Sequence, residues 1–265
     1  MTLDYTFPFG QKVDTVEQTD RTPKKVFVLG VYASAVHAKW ISRTNRVVVQ
    51  ALAVASEPAI FWRGGNAGEI VGAISIPPVL GHLEASSPSF NGPSGRALDE
   101  HFLDPLGIDR KDTWLCDLVP HTCLNRAQLA AITKRYDGVR RKHQLPQVTV
   151  PPVPKRFADD NRRNQILDEI RLARPRLTIL LGDQPVRWFL STFCPHKRLS
   201  EFGTSKSLYG RVHRFAIDSI EYSFLPLVHP RQAGALSAHS AGWKNAHRIW
   251  TERRAKEIAH EHLAF

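Results

Sequence analysis

Cysteine is scarce in this sequence. Cys116, Cys123 and Cys194 are the only three in 265 residues, and no two form a CxxC pair. An odd, sparse set excludes a disulfide frame and a structural zinc site built on paired thiols, and it points to a reducing compartment. Long apolar runs are missing as well. No stretch approaches the length needed to cross a bilayer, and residues 1–23 are polar without a signal-peptide core. A cytoplasmic protein without membrane contact is therefore expected. No segment repeats, and Gly92-Pro93-Ser94-Gly95 lacks the Lys that a nucleotide-cradling loop needs. Acids are outnumbered: 25 Asp and Glu stand against 36 Lys and Arg, a formal net charge of +11. A surface of that sign favours polyanions, nucleic acid first among them. With 42% apolar and 9% aromatic residues the chain is globular, and its length supports one substantial core.

Taken in order, residues 1–23 read as a flexible arm and residues 24–265 as a single domain. Val26 to Gly30 is a continuous apolar run ending in Gly, the pattern of a buried parallel strand. Residues 31–35 follow as a tight turn, with Ser34 placed to cap a short helix. Val47 to Ala55 is rich in β-branched residues and predicts a second strand. Residues 59–78 are irregular, broken by Gly64-Gly65 and Pro77-Pro78. A helix carries Leu98, Phe102 and Leu106 on one face, and Thr113 to Val119 is the next buried strand. Asn125 caps a helix with Leu129, Ile132, Tyr136 and Val139 at helical spacing.

A Pro-rich connector follows over residues 144–155. Then come a helix around Ile166 and Ile170, a strand at Leu177 to Leu181, a helix from Gln184, and a strand ending at Val228. The closing helix turns Trp243, Ala246 and Trp250 to one side and Lys244, Arg248, Arg253 and Arg254 towards a solvated face. Alternating strands and helices imply an α/β protein, a three-layer α/β/α sandwich around a short parallel sheet. His229 and Pro230 then stand at the carboxyl tip of the last strand, where ligands of open α/β sheets bind.

Several of these segments resemble the uracil-DNA glycosylase superfamily. They are Gly92-Pro93-Ser94-Gly95-Arg96-Ala97-Leu98, Leu106-Gly107-Ile108-Asp109, Thr113 to Pro120, Ile179-Leu180-Leu181-Gly182-Asp183 and His229-Pro230. Leu236-Ser237-Ala238-His239 is similar to the segment after the second signature, displaced by a short insertion. The likeness is greatest to the branch that holds an iron–sulphur cluster. The four cluster cysteines are not reproduced, so no metal centre and no other cofactor is expected. Two further departures matter. Gly30 is followed by Val31-Tyr32-Ala33-Ser34, with no carboxylate and no Pro, and Asp117 stands where several branches carry an Asn that reads the base.

The resemblance implies a monomeric enzyme acting on single- or double-stranded DNA with a damaged base, which it flips out and releases. His229 would donate to the base carbonyl as charge grows on it. Asp117 either reads the base edge or positions the attacking water. As an ionised carboxylate it only accepts hydrogen bonds, so it suits an amino group or N3–H and opposes uracil O4. Gly30 and Val31 would line the base pocket. Phe90 either stacks on the base or is a core residue; Tyr32 either walls the pocket or fills it. Ser34, Ser94, Gln184, Lys206, Ser207 and Ser237 fall on predicted loops at the same edge, suited to phosphate contacts. Arg231 and His239 flank the loop in which Leu236 would be the wedge filling the gap left by the flipped base. Two rivals stand beside this reading: a silent nucleic-acid-binding module with the same fold, and a hydrolase of free nucleosides or nucleotides.

Overall fold

The computed structural model describes residues 2–203, 208–234 and 241–263. Lys206, Ser207, Leu236, Ser237 and His239 lie outside the described residues. The strands are β1 (Thr2–Thr6), β2 (Lys12–Asp14), β3 (Val26–Tyr32), β4 (Ala35–Ile41), β5 (Val47–Ser56), β6 (His82–Ala85), β7 (Thr113–Val119), β8 (Leu177–Leu181), β9 (His213–Ile217) and β10 (Ile220–Leu227). The α-helices are α1 (Ala67–Gly72), α2 (Pro93–Leu98), α3 (Arg126–Ala131), α4 (Asp137–His143), α5 (Asp160–Ala173), α6 (Asp183–Trp188), α7 (Pro230–Ala233), α8 (Ala241–Arg253) and α9 (Ala255–Ile258). None of the described helices is long and apolar enough to cross a membrane.

Residue contacts gather into two units. One comprises Met1–Val16, Tyr32–Pro93 and Pro120–Lys155; the other comprises Glu17–Val31, Ser94–Val119 and Arg156–Phe265. The second unit holds a five-stranded sheet in the order β7-β3-β8-β10-β9. Strands β3, β8 and β10 run parallel, with Leu29 beside Leu180 and Leu180 beside Pro226, and β9 joins β10 antiparallel at the margin. All five residues of β8 and all seven of β7 are buried, as strands covered on both faces must be. Phe27, Leu29, Leu180 and Phe224 pack with Ile166 and Ile170 of α5 and with Val186 and Phe189 at α6. A second buried group, Phe102, Tyr209, His247 and Trp250, is tied to the end of β10 through Tyr209. The α/β architecture with a parallel core is the one the alternating pattern predicts.

The first unit carries a three-stranded antiparallel sheet, β5-β4-β6, and the β1–β2 hairpin. Its core collects Phe7, Val13, Trp40, Leu52, Val54, Ile132 and Tyr136. Two local expectations change here. Residues 2–14, read as an arm, form β1 and β2, and Phe7 and Val13 are fully buried. Ser34 caps no helix, because Ala35 opens β4 instead. The strand expected from Val47 forms over Val47–Ser56 and pairs antiparallel with β4. The cause is local: Asn45 adopts a left-handed conformation (φ 55°) and its N–H reaches Ser42 O at 2.9 Å, so the chain reverses within a few residues.

Candidate active site

The parallel register of β3, β8 and β10 brings their carboxyl ends to one edge of the second unit. Gly30 and Val31 precede Tyr32, the last residue of β3, Gly182 follows β8, and His229 lies two residues past β10. Gly182 N–H donates to Leu227 O at 2.7 Å, locking the exits of β8 and β10 together. Gly182 has φ +91°, and a Cβ there would stand 3.3 Å from the His229 Cβ. A side chain at 182 would therefore be strained and would crowd His229.

His229 is the N-cap of α7. Arg231 N–H donates to its Nδ1 at 3.2 Å, while Gln232 Oε1 accepts from the His229 N–H at 3.4 Å. A ring whose Nδ1 accepts carries its proton on Nε2 when neutral. Burial, and secondarily the neighbouring Arg231, hold its pKa down at about 4. At neutral pH the side chain is thus an uncharged imidazole with Nε2–H as its donor.

A buried relay stands behind it. Val228 N–H donates to Tyr209 Oη at 2.9 Å, Tyr209 Oη lies 2.8 Å from His247 Nδ1, and His247 Nε2 lies 2.8 Å from His101 O. The carbonyl of His101 can only accept, so His247 holds its proton on Nε2 and takes the Tyr209 hydroxyl proton at Nδ1. Burial keeps His247 neutral, its pKa lowered to about 4, and pushes the Tyr209 hydroxyl well above the usual phenol range. Tyr209→Phe leaves the Val228 N–H and His247 Nδ1 buried without partners. A loss of about 1–3 kcal/mol is expected, read as a lower urea midpoint with an unchanged m-value.

At the other side of the edge, Asp117 sits within β7 at 3% exposure. Its carboxylate receives a backbone hydrogen bond from Val31, yet Oδ1 is buried with no partner among the described residues. Desolvation pushes its pKa up to about 7, against the opposing pull of Arg162. The Arg162 guanidinium does not pair with this carboxylate. It donates to the backbone carbonyls of Asp117 at 2.7 Å and Leu118 at 3.2 Å and faces Glu169 Oε1 at 3.5 Å. Glu169 in turn accepts from Trp114 Nε1 at 2.8 Å. Asp117 is thus a carboxyl held in place by its backbone, with one oxygen unspent. Strands β7 and β10 are three steps apart in the sheet, and at about 4.8 Å a step their axes lie roughly 14 Å apart.

Gly30, Val31, Asp117 and His229 therefore share one edge of the second unit, with Arg231 on α7 beside them. Ser94 and Gln184 do not lie on loops. They occupy the first turns of α2 and α6, and Gln184 Oε1 accepts from Trp188 Nε1 at 3.0 Å. Tyr32, Ser34 and Phe90 belong to the first unit. Phe90 is 42% exposed, which removes the core alternative, and its ring lies 6.3 Å from that of His37. Ser34 N–H donates to the buried Glu57 Oε1 at 2.8 Å. Tyr209, His247 and Arg162 were not legible as site supports. Only His247 left a trace, as a His on the apolar face of α8 beside Ala246 and Trp250. Among the described residues no three His, Cys, Asp or Glu converge on a point where a metal ion would sit, and the side chains present do not fit an iron–sulphur cluster.

Compared with known proteins, the chain matches the family model described as the uracil DNA glycosylase superfamily over residues 74–250, about two thirds of its length. The match includes Asp117, Gly182 and His229 and begins after Gly30 and Val31. No curated protein matches.

Proposed function

The chain belongs to the uracil-DNA glycosylase superfamily, whose general activity is of the DNA-glycosylase type, and from that premise we propose that it releases a deaminated or otherwise altered base from DNA. In this reading the C1′–N bond breaks and its electron pair leaves with the base. The base carbonyl oxygen gains negative charge and accepts a hydrogen bond from His229 Nε2–H, while water adds its oxygen to C1′ of the sugar cation. The proton that this water gives up passes to the departing base, which leaves neutral, and an abasic sugar with a C1′ hydroxyl remains. Asp117 reads the base edge or orients the water. What supports this assignment above all is that Asp117, with its unspent buried oxygen, and His229, with its fixed tautomer, lie at the same sheet edge. A perturbed carboxyl and a neutral donor at one strand edge are what such a reaction asks for.

The test is base release from oligonucleotides carrying uracil, hypoxanthine, xanthine or modified cytosines, each in single and double strands. Release of one or more of these bases is expected. Salt-sensitive DNA binding without any product would instead identify a silent binding module. Turnover of free nucleosides with little salt dependence would identify the third alternative.

A further inference from the structure

Residues 126–143 form one continuous helical stretch: α3, a π-helical turn from Ile132 to Tyr136, and α4. Asn125 starts it with a capping box to Gln128. Leu129, Ile132, Tyr136 and Val139 turn into the core of the first unit. The opposite face is cationic. Lys134, Arg135, Arg141 and Lys142 are all exposed, and none forms an ion pair with a described residue. Some exposed cations elsewhere are paired, Arg171 with Asp168 and Asp218 and Arg248 with Glu252. Lys244 and Arg253 form no ion pair with a described residue, but they stand on a stretch, 241–263, whose five Lys and Arg are offset by three Glu. In the 126–143 helix the single acid, Asp137, faces only Arg140, at 3.9 Å. Over 126–143 six basic residues stand against that one acid.

We propose that this face is a docking surface for the phosphate backbone of duplex DNA, used without reading sequence. Lys134 to Lys142 spans eight residues, about 12 Å of helix. Duplex DNA carries one charge per about 1.7 Å of axis, so the same length offers roughly seven phosphate charges to four cations. Insertion into a lipid surface or a hydrophobic groove would require the apolar stripe of the helix, and that stripe is already buried within the unit. What remains is a cationic ridge that can contact only an anionic partner from outside. The choice of DNA as that partner rests on the glycosylase reading.

The experiment compares the intact protein with a variant carrying K134Q, R135Q, R141Q and K142Q. Binding to an undamaged duplex of mixed sequence is measured across a range of salt concentrations. The variant is expected to bind at least tenfold more weakly at about 0.1 M salt, and its slope of log K against log salt is expected to be shallower by about 2–4. A second variant, K244Q with R253Q and K256Q, removes exposed charge elsewhere, and its slope is expected to change little. An unchanged slope in the first variant overturns the proposal, as does an equal loss in both, which would make net charge the cause. Equal or stronger retention of duplex RNA or of a polyglutamate peptide by the intact protein would overturn DNA as the occupant. Base release at saturating DNA is recorded in parallel. Binding lost with turnover retained supports the surface, whereas turnover absent with binding retained bears only on the glycosylase reading.

Discussion

His229→Ala is expected to lower kcat for base release by about 10²- to 10³-fold, the usual consequence of removing one donor to a developing oxyanion, while KM moves little. The reasoning turns on when the bond matters. The carbonyl oxygen of an intact base is a modest acceptor; once the C1′–N bond stretches, that oxygen carries much of the departing charge. A donor at that point acts in the transition state rather than the bound complex, so its loss falls on kcat. The imidazole is neutral down to about pH 4, so it should contribute no limb to the rate between pH 5 and 9. His229→Gln retains an N–H donor and should recover part of the rate. The alanine variant also loses the α7 cap, which costs about 0.5–2 kcal/mol, so its melting curve is needed beside the kinetics. A folded His229→Ala protein with unchanged kcat would remove His229 from the chemistry.

The parallel sheet was legible because its strands are short apolar runs bounded by Gly, Pro or polar turns. Val26–Gly30, Thr113–Val119 and Leu177–Leu181 have no competing helical period, and burial on both faces leaves that signature. The helix over 126–143 was legible from Asn125 and the recurrence of Leu129, Ile132, Tyr136 and Val139. The first unit was harder. Its strands β4 and β5 are equally apolar, and only the left-handed turn at Asn45 decides that they form a hairpin rather than parallel neighbours. At the site, His229 showed itself by position, at a strand tip before a Pro. Tyr209 and Arg162 did not, because each acts on backbone atoms of a distant element: Tyr209 on the Val228 amide and Arg162 on the carbonyls of Asp117 and Leu118. Contacts to backbone impose no pattern on the partner's side chains, so nothing in the linear sequence records them. The state of Asp117 was hidden for a related reason. Its charge is set by the dryness of the site, which only packing reveals.

That state leads to the most discriminating experiment. With a pKa pushed to about 7, Asp117 is a carboxylic acid below neutrality and a carboxylate above it. The acid has an O–H to donate and suits uracil O4; the carboxylate opposes O4 and suits an exocyclic amino group or N3–H. Uracil release by the intact protein is therefore expected to fall as pH rises through 7, while release of a base bearing an amino group at that position rises. Asp117→Asn carries a permanent donor. Its uracil rate should lose the pH limb and, near pH 8.5, exceed the intact protein's by about 5- to 150-fold, the kinetic equivalent of relieving an opposed pair worth about 1–3 kcal/mol.

Stability supplies a second readout, independent of turnover. The unfolded side chain ionises near 3.8 and the folded one near 7. Between those values the folded state holds the extra proton, so Asp117 makes stability fall as pH rises, by up to roughly 4 kcal/mol across the window. The amide does not titrate, so the Asn variant should gain on the intact protein from pH 4 to 7 and hold a constant advantage above. Taking the difference cancels the acid-side slopes of His229 and His247, which both proteins share. The outcomes separate cleanly. A stability gain with a raised, pH-flat uracil rate makes Asp117 a reader of the base edge. The same gain with activity abolished on every base makes it the group that orients water, since an amide supplies no charge beside the sugar cation. A stability difference that does not change with pH would show that Asp117 is ionised in the folded protein, and its role as a neutral donor would fall.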